Sequence, residues 1–215
     1  MKTLLNILGA IGVIALVCSC ATPGEEAKTD EQLVKTAEAE AEPSAPRSGE
    51  MLANTCAGCH GTDGNSAGGN MPSLAGLNKR YLYNSMKEYQ SGLRPSTIMG
   101  RIAKGYSDYE LQALVTHFSS QEWKQAGSKT EASLVKTGQK FTEVQCETCH
   151  KDGGRSQYRD VPRLAGQWAE YLNDQLTDMS SDFYRGSQPA EMLERVRELS
   201  PEQIKAISHF YASQK

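Results

Sequence analysis

The sequence predicts an all-α protein of two tandem small domains, preceded by an export segment and an unfolded linker. Three observations carry that prediction. The pentapeptide Cys56-Ala57-Gly58-Cys59-His60 returns ninety positions later as Cys146-Glu147-Thr148-Cys149-His150. At the same offset Pro72-Ser73-Leu74-Ala75-Gly76 and Tyr81-Leu82 return as Pro162-Arg163-Leu164-Ala165-Gly166 and Tyr171-Leu172, which marks a duplicated structural unit. Apolar residues near the end of each copy recur at helical spacing: Leu111, Leu114, Val115 and Phe118, then Ile204, Ile207, Ser208 and Tyr211.

Residues 1–20 hold Lys2, an apolar run over 7–17 and then small residues. This reads as a secretory signal peptide, too short for a retained membrane span. Val17-Cys18-Ser19-Cys20 is similar to a lipoprotein cleavage box, which would make Cys20 the lipid-bearing first residue of an anchored chain; ordinary cleavage after Ser19-Cys20-Ala21 competes with it. Residues 21–48 carry seven acidic and three basic side chains, among them Glu38, Glu40 and Glu42, with Pro43 and Pro46 and almost no large apolar residue. They cannot bury enough surface to fold and are predicted to be a disordered acidic tether, able to hold an anchored domain above the membrane.

The first domain is expected over 49–126 and the second over 127–215, with polar residues 125–137 as the linker. Met51, Leu52 and Thr55 lead into Cys56 at helical spacing, and Gly138, Phe141 and Val144 lead into Cys146. Loops follow over 61–78 and 151–168, then helices over 79–90 and 169–180. The last helix of the first copy opens on Ser107 or Asp108, and that of the second on Ser200 with Pro201 at its first position.

In a Cys-x-x-Cys-His segment the two thiols can add across haem vinyl groups while the imidazole binds the iron. Short Cys and His spacing also suits zinc, and Cys-x-x-Cys suits a redox dithiol. The repeat decides for haem, because a zinc module has no reason to keep Pro-x-Leu-Ala-Gly at a set distance from its ligands. Two haem c groups are therefore expected, on Cys56 and Cys59 and on Cys146 and Cys149, with His60 and His150 as iron ligands. Four of the six cysteines are thus used, and the other two lie in the export segment, so no disulfide pair is left. Each half is near the size at which a small core needs a staple, and a flat apolar haem fits an aromatic content of only 7%.

The sixth ligand follows from the repeat. Met99 and Met192 each stand eight residues before a last-helix serine, Ser107 or Ser200. Met179 fails this test, since its counterpart is Tyr89. His117 and His209 are rival ligands, but they align with Phe210 and Thr116 and read as solvated surface histidines. A thioether ligand raises the reduction potential relative to a second imidazole. Pro72 and Pro162 are either plain loop residues or donors of a carbonyl to the second nitrogen of His60 and His150, which would set the tautomer. Residues 49–215 hold nineteen acidic and nineteen basic side chains, and nothing in them points to nucleic acid.

Both halves resemble class I cytochrome c domains. More narrowly, Ser96-Thr97-Ile98-Met99-Gly100-Arg101-Ile102-Ala103-Lys104-Gly105-Tyr106-Ser107 and Leu164-Ala165-Gly166-Gln167-Trp168 resemble the cytochrome subunit of flavocytochrome c sulfide dehydrogenase. The resemblance implies two tandem class I cytochrome c domains over 49–215, haem attachment in the periplasm, and Met99 and Met192 as distal ligands. It also implies a partner, an FAD-containing sulfide dehydrogenase subunit, docking near Arg94, Arg101 and Lys104, which read equally well as solvated charges. The lipobox and tether depart from that family. With no dinucleotide-binding glycine motif and no open iron, the chain is expected to be an electron-transfer protein rather than an enzyme, passing single electrons to a downstream redox protein or oxidase. The alternative is a general dihaem carrier between a quinol-oxidising complex and a terminal oxidase. A dihaem peroxidase would need an open iron, which a methionine in each copy opposes.

Overall fold

In the computed structural model, which describes residues 47–158 and 160–215, every regular element is helical. The signal peptide, Cys20 and the tether as far as residue 46 lie outside the described residues. Those described belong to one unit, Ala45–Lys215. Its first half runs α1 (Gly49–Ala53), α2 (Ala57–His60), α3 (Lys79–Ser91), α4 (Met99–Ile102) continuing as a 3-10 turn (Ala103–Gly105), and α5 (Asp108–Ser119). The second runs α6 (Ala132–Gln145), α7 (Lys151–Gly154), α8 (Ala169–Ser180), α9 (Ala190–Arg197) and α10 (Pro201–Ser213). Among the described residues no helix is long and apolar enough to cross a membrane.

The last helices start where the serines stand. Ser107 Oγ accepts from the Glu110 N–H at 3.3 Å while Glu110 returns a carboxylate to the Ser107 N–H at 2.9 Å. Ser200 and Gln203 close the same box at 3.3 and 2.7 Å, with Pro201 at the first helical position. Both apolar stripes are buried. Leu111, Leu114, Val115 and Phe118 join Leu52, Leu77 and Leu82 in one core. Ile207, Phe210 and Tyr211 join Leu172 in the other.

In each half the leading helix crosses the last one at backbone contact. A Cβ on Gly49 would lie 2.3 Å from the Ala113 carbonyl oxygen, and one on Gly138 would lie 2.1 Å from that of Ala206. Only glycine permits this approach. The Pro-x-Leu-Ala-Gly repeat has an equally concrete role. The N–H groups of Leu74 and Ala75 donate to the Gly64 carbonyl (2.6 and 3.1 Å), and those of Leu164 and Ala165 donate to that of Gly154 (2.8 and 3.1 Å). Gly76 and Gly166, both at positive φ, then tie the loop to the end of the last helix through the carbonyls of Phe118 (2.8 Å) and Tyr211 (2.9 Å).

Several details differ from the sequence expectation. Residues 132–137, expected in the linker, form the first turns of α6, because half-buried Leu134 and Val135 face inward while their polar neighbours meet solvent. Met51 and Val144, expected on apolar faces, are exposed; Leu52, expected with Met51, is buried, and Thr142 is buried in place of Val144. The short helices that carry Met99 and Met192 were not legible, one having a single turn and the other only Met192, Leu193 and Val196 as its apolar side. Ser48, expected at the end of the tether, caps α1 by accepting from the Met51 N–H at 3.1 Å.

The halves meet through polar groups. The Gln167 side-chain amide pairs with the Ser73 backbone at both ends, 3.0 Å to its N–H and 3.0 Å to its carbonyl, and both residues are buried. Gln157 does the same across Asn78 N–H (2.9 Å) and Gly76 carbonyl (3.0 Å). The Trp168 indole donates to Ser66 Oγ at 2.7 Å, and the Tyr171 N–H donates to the Gly69 carbonyl at 3.0 Å.

Candidate functional site

Each Cys-x-x-Cys-His segment closes one turn: His60 N–H donates to the Cys56 carbonyl and His150 N–H to that of Cys146, both at 2.9 Å. Positions i, i+3 and i+4 of such a turn share one side, so both thiols and the imidazole are presented together. All four thiols are free; Cys56 and Cys146 are partly buried, while Cys59 and Cys149 are exposed. Burial pushes the Cys56 and Cys146 thiols above the ordinary range. That is the reverse of the lowered thiol pKa a redox dithiol uses. Nor do three His, Cys, Asp or Glu side chains gather as a metal cluster anywhere among the described residues, so neither motif builds the closed four-ligand cage of a structural zinc.

His60 is buried, with Nδ1 2.8 Å from the Pro72 carbonyl oxygen. A proton on Nδ1 donates to that carbonyl and leaves the Nε2 lone pair for a metal. Burial lowers the pKa of this imidazole although the Pro72 bond works the other way, so the ring is neutral and able to ligate. His150 differs. It is also buried, but its Nδ1 has no hydrogen-bond partner, and burial alone pulls its pKa down to about 4. Pro162 therefore does not play the part its spacing suggested. The cause is local backbone: His150 leaves the helical region (φ −94, ψ 59), and Asp152 and Gly153 follow at positive φ, so the chain after the second motif takes another course.

Met99 opens α4 and is half-buried. Met192 lies in α9, half-buried against Met179, Tyr184 and Val196, with Met179 itself in that small core. His117 is half-exposed with its ring edge-on to Phe118 at 5.3 Å. His209 accepts from the Glu131 N–H at 3.1 Å. Arg101 and Lys104 are exposed, as a docking surface requires, but Arg94 is only 3% exposed and cannot belong to that surface.

The donor set fits haem c: two thiols to form thioethers and one neutral, buried imidazole to meet the iron. Bound there, haem supplies reversible one-electron chemistry, while the protein orients the imidazole and shields it from water. The cytochrome c family profile matches residues 47–125 and again residues 135–215. The chain belongs to the cytochrome c family. Cytochrome c4 of Pseudomonas aeruginosa is 31% identical over 172 residues, 75% of this chain and 85% of that one. The cytochrome subunit of sulfide dehydrogenase from Chlorobaculum tepidum is 43% identical over 72 residues, 34% of this chain and 64% of that protein. A thiosulfate dehydrogenase electron acceptor of Stutzerimonas stutzeri is 30% identical over 173 residues, 75% of this chain and 79% of its own. The crystal structure of reduced recombinant cytochrome c4 from Pseudomonas stutzeri matches with a TM-score of 0.70 at 27% identity, covering 78% of this chain and 97% of that one. This cytochrome c is accordingly a dihaem electron carrier of the cytochrome c4 kind, with two haem c groups. Sequence reasoning missed the residues that join its halves, Gln157, Gln167 and Arg94, since no spacing rule links side chains that meet only across an interface.

Proposed function

We propose that this dihaem cytochrome c takes single electrons from an FAD-containing sulfide dehydrogenase subunit in the periplasm and passes them to a downstream redox protein or oxidase. Cys56, Cys59, Cys146 and Cys149 would hold the two haems, and His60, His150, Met99 and Met192 would supply the iron ligands. Pro72 orients His60. The supporting observation is the surface around Met99, where Ile98 (48% exposed) and Ile102 (40% exposed) lie among exposed Arg101 and Lys104. Apolar contacts with a cationic rim suit transient docking, with the charges steering encounter. This segment carries the resemblance to sulfide dehydrogenase cytochromes, and the identity to the Chlorobaculum tepidum subunit supports it.

Stopped-flow reduction by sulfide, with and without the candidate flavoprotein from the same organism, tests the reading. Reduction should be accelerated by the flavoprotein, and Arg101→Glu combined with Lys104→Glu should slow it. A second reading, the general carrier between a quinol-oxidising complex and an oxidase, is favoured by cytochrome c4 relatives whose similarity spans both halves. No acceleration by the flavoprotein, together with rapid exchange with the quinol-oxidising complex, would select it. The anchor has its own check: detergent partitioning of wild type against Cys20→Ser, where only wild type should enter the detergent phase.

A further inference from the structure

The segment that carries Met99 is tied down by side chains from two other elements. At the end of α3 the Gln90 amide nitrogen donates to the carbonyl oxygens of Ala103 (2.9 Å) and Tyr106 (2.8 Å), so one side chain spans the turn that follows the methionine helix. From the other side the Tyr106 hydroxyl meets Thr55 Oγ1 at 2.6 Å. Thr55 Oγ1 itself donates to the Leu52 carbonyl at 2.7 Å, which leaves Tyr106 as the donor in the pair. Thr55 directly precedes Cys56, so the end of the methionine segment is joined to the turn that presents the thiols.

These ties matter because little else of the protein's own packing holds the segment: between Pro95 and Gly105 only Ala103 is buried by the chain. A stretch with so few buried apolar contacts opens at low cost unless polar contacts restrain it. The same stretch exposes Ile98, Arg101, Ile102 and Lys104, so a docking partner would pull on the backbone that presents the methionine. The second half has no equivalent. The repeat sets Ser180 in the place of Gln90 and Gln145 in that of Thr55, and the register of the last helix sets Leu199 in that of Tyr106. Ser180 Oγ donates within its own helix, to the Thr177 carbonyl at 2.7 Å. The Met192 segment instead packs through Met192, Leu193 and Val196 on Met179 and Tyr184.

We propose that Gln90 and Tyr106 are positioning residues that clamp the Met99 segment and keep its thioether from exchanging with other ligands while a partner docks on the outer side. Neither touches the reacting atoms. Gln90 acts through the Ala103 and Tyr106 carbonyls, and Tyr106 acts through Thr55. This rests on Met99 as the distal ligand of the first half and not on the identity of the electron donor.

The test is displacement of methionine by added imidazole in the ferric dihaem protein, followed by stopped flow as loss of the methionine-ligation band. An added ligand enters only when the segment swings away, so the rate reads how often it opens. In a Met192→Ala background the remaining band belongs to Met99, and there Gln90→Leu and Tyr106→Phe should each speed its loss by about tenfold, as release of one or two hydrogen bonds predicts. In a Met99→Ala background, where the band belongs to Met192, neither change should alter the rate. An unchanged rate for Gln90→Leu in the first background, or an equal gain in the second, would overturn the proposal. Should Gln90→Leu fail to mature, Tyr106→Phe decides by the same comparison. A Met99→Ala protein that keeps the whole band would overturn the ligand assignment itself, and the clamp with it.

Discussion

His60 and His150 occupy equivalent places in the repeat yet live in different surroundings. One imidazole has its Nδ1 held by the Pro72 carbonyl, and the other is buried with Nδ1 unpartnered. As iron ligands the two imidazoles would be of unequal basicity, because a hydrogen-bonded imidazole is the stronger electron donor. The methionines separate in a similar way. Met192→Ala should remove the methionine-ligation band of one haem and lower its potential. Met179→Ala should leave that band in place and instead cost about 2–5 kcal/mol of stability, as truncation of a buried side chain does. Visible spectra and urea titrations of the two variants give the comparison, and loss of the band in Met179→Ala would reverse the assignment. At this scale the turn that carries each motif was legible, since positions i, i+3 and i+4 share one side of it. The status of His150 Nδ1 was not, because it depends on where the loop after it runs.

The helices were legible where a cap and a stripe coincide. Ser107 with Glu110, and Ser200 with Gln203, announce α5 and α10, and every residue of both expected stripes is buried. The start of α6 was read as linker because half its residues are polar, and solvent accepts them on the outer side of the helix. The glycines were visible in sequence only as glycines; their purpose appears at the crossing. Gly138→Ala should destabilise the protein by about 1–3 kcal/mol, the usual cost of overpacking, because the added methyl meets the fixed Ala206 carbonyl rather than a yielding side chain. Gly58→Ala is the control. Nothing lies within 4 Å of its Cβ, and its stability should be unchanged or slightly higher, since alanine is the better helix former. Thermal unfolding of both variants, with haem content matched, would show equal losses if the crossing were not the reason.

Across the whole molecule the halves are joined by amide side chains that complete backbone hydrogen bonds. Gln167→Ala would strand the buried Ser73 N–H and carbonyl, and each such group left unpaired costs about 1–3 kcal/mol. The expected outcome is a chain that still carries both haems but unfolds in two calorimetric transitions where wild type shows one. A single transition in the variant would mean that the other contacts suffice to couple the halves.

By itself the sequence determined what depends on neighbours along the chain: two haem motifs, their turns, the caps and stripes of the last helices, and the duplication that makes one half predict the other. Only the tertiary structure decided what depends on distant segments arriving together. It withdrew Arg94 from the surface where its charge suggested it belonged and placed it among Tyr171 and Gln175 of the other half. It gave Pro72 a contact with its histidine and left Pro162 without one. The physical reason is the same in both cases. A repeat preserves residue types and spacing, whereas burial and hydrogen-bond partners are set by the chain's path through space, and one altered turn or one unmatched residue is enough to make equivalent positions unequal.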